Sequence, residues 1–128
     1  MPQLTSAVLK DSANADHTFT PNNVSGGVAT LVESTGVPIG DKRISIGQNQ
    51  TAQGRRKVTV KLAVPAVQDA VVNGVSRPTV VRTAYADITF SFDGSSSATE
   101  RKDALAYIKS LMANPMFISA AGDLEGIY

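Results

Sequence analysis

Tyr85 and Asp87 stand two residues apart in the run RTAYADITFSFD, Arg82 to Asp93. Two further runs carry cations and hydroxyls at similar spacing. Lys57, Thr59 and Lys61 alternate in KVTVKLAVP, and Arg43, Ser45 and Asn49 fall on alternate positions of RISIGQNQ. A spacing of two puts side chains on one face of an extended strand. Lysine and arginine attract phosphates. A tyrosine ring offers an unpaired base a flat surface, a contact worth about 1–3 kcal/mol. Hydroxyls and a carboxylate can read base edges or a ribose hydroxyl. Looped or single-stranded RNA is recognised by such a mix of stacking and edge contacts. A polar face is also what the wet side of an antiparallel sheet normally shows. On pattern alone both readings stand, and Asp87 among basic strands is equally an ion-pair partner.

Charge is segregated along the chain. Between Lys42 and Arg82 there are eight basic residues and one acid, Asp69; the remainder holds four basic residues and ten acids. A central basic block suits an anionic partner, although a solvated surface accounts for it as well. Catalysis finds no constellation. The only histidine, His17, lies beside Asp16 with no serine elbow in reach, and GVPIGDK lacks the phosphate-loop spacing. Acids are scattered singly and there is no cysteine, so disulfides, thiolate metal sites and a cysteine nucleophile are excluded. No enzyme, metal, cofactor or small-molecule substrate is expected. The longest apolar runs fall far short of the roughly 18 residues of a membrane span. The start, MPQLTSAVLKDS, lacks the regions of a signal peptide, so a cytoplasmic protein is expected and no membrane partner.

The elements that must position these residues follow from periodicity and turn chemistry. LTSAVLKDSANADHTFTP reads as two short strands around a turn, with Pro21 and NNVSGG breaking the chain after them. Val28–Glu33 is a short strand, and Gly36, Pro38 and Gly40 mark a loop. Residues 43–50 and 57–65 alternate around a turn at 51–55. A loop containing Asn73-Gly74 and Pro78 is predicted before the last strand, which starts near Thr79. Ser97 with Glu100 forms a capping box for a helix carrying Leu105, Ile108, Leu111 and Met112 at helical spacing. Asn114-Pro115 ends it and starts a second helix through Met116, Phe117, Ile118 and Ala121 to Gly122. Strands first and helices last predict an α+β fold, a single domain over residues 1–128.

On the reverse of the polar positions the strands collect Ile44, Ile46, Val58, Val60, Leu62, Val64, Ile88, Phe90 and Phe92. Each stabilises the fold by about 1.5–3 kcal/mol when fully buried. One amphipathic helix and a short second one give thin cover for such a sheet. An obligate homodimer is therefore predicted, with the helices of one subunit across the sheet of the other.

The runs GGVATLVESTGVPIGDKRISI and RKVTVKLAVP, the motif VNGVSRP and above all RTAYADITFSF resemble the coat proteins of single-stranded RNA bacteriophages, the leviviruses, especially those of Qβ type. The likeness covers nearly the whole chain. It implies an N-terminal β-hairpin, a five-stranded antiparallel sheet, and two C-terminal helices that interlock with a dimer partner. It implies dimers that assemble into a small T=3 icosahedral shell around genomic RNA, in the virion and, during assembly, in the host bacterial cytoplasm. One dimer would also bind an RNA hairpin at the replicase start, as translational repressor and packaging signal. By this resemblance Tyr85 stacks on a loop base, and Asp87 stands where the family uses an acid or amide on the RNA. Thr59 and Lys61, with Ser45 and Val28, form an adenine pocket, and Arg43, Asn49, Arg55 and Lys57 hold phosphates or bases. Gly47 departs from the family, replacing a hydroxyl that reads adenine. The segment from Asp69 to Pro78 is implied to be the loop that adjusts between capsid environments. Without cysteines, a shell must hold by non-covalent contacts. Two rivals stay open: a shell protein with only nonspecific RNA affinity, and an RNA-binding dimer that forms no shell.

Overall fold

The computed structural model describes residues 3–34, 36 and 38–128. Six strands form one sheet in the order β1-β2-β3-β4-β5-β6, each beside its sequence neighbour. They are β1 (Ala7–Lys10), β2 (Asp16–Ser25), β3 (Val28–Glu33), β4 (Lys42–Gln50), β5 (Arg56–Val72) and β6 (Val75–Phe92). The predicted N-terminal hairpin and five-stranded sheet are both present. They share a strand, because the ten residues of β2 serve twice. Residues 16–19 pair with β1, and residues from Thr20 onward pair with β3.

Three expectations about strand ends are corrected. Pro21 and the Asn-rich stretch do not break the chain: β2 runs through them, with a register irregularity between Pro21 and Asn23, and turns only at Gly26-Gly27. The sixth strand does not begin near Thr79 but at Val75, and β5 runs on to Val72. The loop expected from Asp69 to Pro78 is therefore two strand ends joined by Asn73 and Gly74. Both have positive φ, 52° and 76°, as the hairpin turn whose twist matches the strands requires. Prolines are tolerated where a strand has an open edge. β4 stops pairing with β5 at Ala63, so Pro65 lies beyond that ladder, and Pro78 is on β6, the edge of the sheet. The loop expected around Gly36 and Gly40 holds a single 3₁₀ turn, Pro38–Gly40; residues 35 and 37 lie outside the described residues.

The chain divides into two compact units, residues 1–91 and 92–128. In the second, α1 (Ala98–Met112) and α2 (Pro115–Gly122) begin where their caps dictate. Ser97 Oγ accepts from the Glu100 amide at 3.2 Å, and Asn114 Oδ1 from the Met116 amide at 2.9 Å, with Pro115 in the first turn. Neither helix has a buried residue: Leu105 is 48% exposed, Met116 50% and Ile118 52%. The sheet is scarcely better covered. Among the described residues only Phe19 and Leu31, each 4% exposed, form a buried apolar core. Ile44, Val58, Val60, Leu62, Val64, Ile88 and Phe90 are half-buried, and Ile46 is exposed. Neither helix thus buries a residue, and most apolar residues of the sheet face are only half-buried.

Candidate nucleic-acid interface

Register fixes which side chains share a face. Across β4 and β5, Ser45 lies opposite Lys61, Gly47 opposite Thr59 and Asn49 opposite Lys57. Across β3 and β4, Thr30 lies opposite Ser45 and Val28 opposite Gly47. Directly opposed residues point to the same side of a sheet. Val28, Thr30, Arg43, Ser45, Asn49, Lys57, Thr59 and Lys61 therefore share one face, while Leu31, Ile44, Val60 and Leu62 share the other.

Two shallow depressions open on the polar face. The first, about 330 Å³, is lined by Val28, Ser45, Asn49, Thr59 and Lys61, with Gly26, Gly47 and Gln48. The second, about 320 Å³, is lined by Arg43, Tyr85 and Asp87, with Thr30, Leu62, Ala63 and Ala86; Ser45 and Lys61 belong to both. Eight of the ten residues singled out in the sequence thus border two adjoining hollows. Lys57 joins them through its pairing with Asn49. Arg55 stands apart, in the turn between β4 and β5. Its Nε donates to Ser91 Oγ at 3.0 Å and its Nη2 to the Ser91 carbonyl at 3.4 Å, which ties the turn to β6. Thr30 was missed in the sequence reading. The signal was its place two residues after Val28, but VATLVE offers one hydroxyl among apolar neighbours.

The arrangement suits an unpaired, anionic chain. Tyr85 is 80% exposed, so its ring is open to stacking. Asp87 forms no ion pair among the described residues of the chain. Cations stand at both ends of the hydroxyl pair Ser45 and Thr59, so a base entering either hollow would bring its phosphate near a lysine or arginine. The hollows differ in chemistry: Gly47 lines the first without a side chain, whereas Ala63 and Ala86 line the second beside Tyr85.

Gly47 has a specific neighbour. A Cβ placed there would meet Val28 Cγ2 at 3.1 Å, tighter than ordinary contact. The space a longer residue would need is held by valine. Gly47→Ala is therefore expected to be tolerated better, by at least about 0.5 kcal/mol, in a Val28→Ala background than alone. Denaturant midpoints of the single and double variants measure this coupling; strictly additive effects would mean that residue 28 does not crowd residue 47.

No group of three or more histidine, cysteine, aspartate or glutamate side chains among the described residues could hold a metal ion. None of the described helices is long and apolar enough to cross a membrane.

The family model described as levivirus coat protein matches residues 2–128. The capsid protein of Pseudomonas phage PRR1 is 42% identical over 130 residues, spanning 98% of this chain and 99% of that protein. The capsid protein of Qbeta virus strain MX1 is 35% identical over 119 residues, 90% of each chain. Among solved structures, a virus-like particle of Beihai levi-like virus 21 superposes with a TM-score of 0.88 at 28% identity, covering 99% of both chains.

Proposed function

Because the chain belongs to the levivirus coat protein family, we propose that it works as a homodimer whose copies close into a small T=3 icosahedral shell, with the polar sheet face turned inward on single-stranded genomic RNA. Its place is the virion and its work is structural, not enzymatic. Family membership supports a coat protein over an RNA-binding dimer outside any capsid. We further propose that one dimer binds an RNA hairpin at the replicase start, repressing translation and marking the genome for packaging in the host cytoplasm. In this reading Tyr85 stacks on a loop base and Asp87 accepts from its edge. Val28, Ser45, Thr59 and Lys61 enclose a second base, and Arg43, Asn49, Arg55 and Lys57 meet phosphates or bases.

One observation carries the RNA reading: cations, hydroxyls and an exposed ring from four strands converge on two adjoining hollows of one face. The dimer reading rests on the other face, whose apolar residues are mostly only half-buried in a single chain, and on the helices, which have no buried residue. Selection from a pool of RNA hairpins by the purified dimer tests specificity. Enrichment of one loop sequence is the expected result. Equal retention of all hairpins, lost in proportion as salt rises, would replace the hairpin reading with nonspecific packaging.

A further inference from the structure

Both ring nitrogens of His17 face carboxylate oxygens. Nδ1 lies 2.8 Å from Glu33 Oε2 and 3.0 Å from Oε1; Nε2 lies 2.8 Å from Asp11 Oδ2. An ionised carboxylate only accepts, and a neutral imidazole has one donor nitrogen. Both contacts can be hydrogen bonds only when the ring is doubly protonated. The partners come from different elements. Asp11 lies in the turn between β1 and β2, where its Oδ1 also accepts from the Ala13 and Ala15 amides at 2.9 and 3.0 Å. Glu33 ends β3, opposite Lys42 of β4, whose Nζ donates to Glu33 Oε1 at 3.1 Å. Neighbouring Asp16 is engaged by Lys10 at 2.7 Å, a pair internal to the hairpin.

The position of this cluster gives it leverage. The β2–β3 ladder begins at Thr20, so among the described residues 16–19 pair with β1 and not with β3. Beyond that ladder the bracket from Asp11 through His17 to Glu33 ties the hairpin to β3, and Phe19 beside it is buried. We infer that His17 is a protonation-dependent clasp that fastens the N-terminal hairpin to the sheet. It lies on the face of Leu31 and Ile44, opposite the hollows that hold Ser45 and Lys61, so it acts independently of RNA.

The direction of titration agrees. Hydrogen bonds to Asp11 and then Glu33 raise His17 above its ordinary 6.5. The His17 bond chiefly lowers Asp11. Burial opposes the charge of Glu33, but hydrogen bonds from Lys42 and His17 outweigh it and lower that carboxyl too. A raised histidine contributes stability fully below about 6.5 and loses it as pH rises through the folded-state value. The two carboxylates contribute above their ordinary values and lose that contribution in acid. The clasp is therefore complete in mildly acidic solution and opens on the alkaline side. Lys42 keeps Glu33 in place when it opens, so release frees the hairpin rather than β3.

His17 is the only histidine, so deuterium exchange at its imidazole C2–H reports its titration in the full-length protein without assignment. Amide exchange of the same samples, corrected for intrinsic rates and run from about pH 5 upward, reports the hairpin. We expect a ring midpoint above 6.5 and loss of protection over residues 7–19 at that midpoint, while β4 and β5 stay protected. A midpoint at or below 6.5, or a hairpin whose protection ignores it, would overturn the clasp. In His17→Gln the hairpin should be weakly protected at every pH, and full protection there would overturn it. If that variant does not fold, Asp11→Asn should lower the ring midpoint; an unchanged midpoint would contradict the bracket. RNA selection by the same protein should not change, which separates this test from that of the RNA face.

Discussion

Leu105→Asp is expected to abolish the folded dimer and, with it, every particle. Leu105 is half exposed in one chain, as are its helical neighbours on the apolar stripe. A carboxylate there would cost a lone subunit little. In a dimer that seals the stripe, it becomes an unpaired buried charge worth roughly 3–5 kcal/mol, and symmetry places one in each subunit. Two such terms are of the order of a whole domain's stability. Sedimentation at micromolar concentration and electron microscopy of the expressed protein measure the outcome. Ser110→Asp, exposed on the side of α1 away from Leu105, Ile108 and Met112, serves as the control and should leave dimers and particles intact. A Leu105→Asp protein that still sediments as a dimer would show that α1 is not at the seal.

Tyr85→Ala is the second large effect. Truncating a ring that is 80% exposed removes almost no intrachain packing, so folding and particle formation should survive. What is lost is the platform for a base. Removing base–aromatic stacking costs about 1–3 kcal/mol, or roughly 5- to 150-fold in Kd. The loss should fall on the selected hairpin and spare a scrambled one, narrowing the ratio between them. Equal, slight weakening of both would mean that the tyrosine takes no part in readout and that Lys57 and Lys61 act by charge alone.

Alternation made the central sheet legible. In residues 43–50, 57–63 and 83–92 apolar residues recur at every second position over much of the run, and the β4–β5 register places those of the first two runs on one face. The helices were legible because Ser97 and Asn114 cap them and Pro115 begins the second. Prolines misled. Pro21 read as a break and Pro78 as part of a loop, yet each sits where a neighbouring strand has ended or the sheet has an edge, so a missing amide costs no ladder bond there. Asn73-Gly74 was recognised as a turn but not as the whole connection between two long strands.

The polar face was readable as a pattern, but its meaning came from residues that meet across strands. Ser45 and Lys61 are 16 positions apart in sequence and directly opposed in the sheet, a juxtaposition that alternation alone does not reveal. The same holds for His17. Its sequence neighbour Asp16 turns to Lys10, while its actual partners, Asp11 and Glu33, come from the preceding turn and the next strand. Arg55 shows the limit in the other direction: a cation in a basic run engages Ser91 on the far strand, which no local motif announces.

The orientation of the sheet can be seen directly. Particles recovered from expressing bacteria, imaged to side-chain resolution with their RNA inside, should show uniform shells. Tyr85, Lys61 and Ser45 should line the interior against nucleic-acid density, and Leu105 and Ile118 should be sealed beneath a second subunit. Tyr85 on the outer surface of such a shell, or apolar helix faces left open to solvent, would contradict the assignment of the two faces.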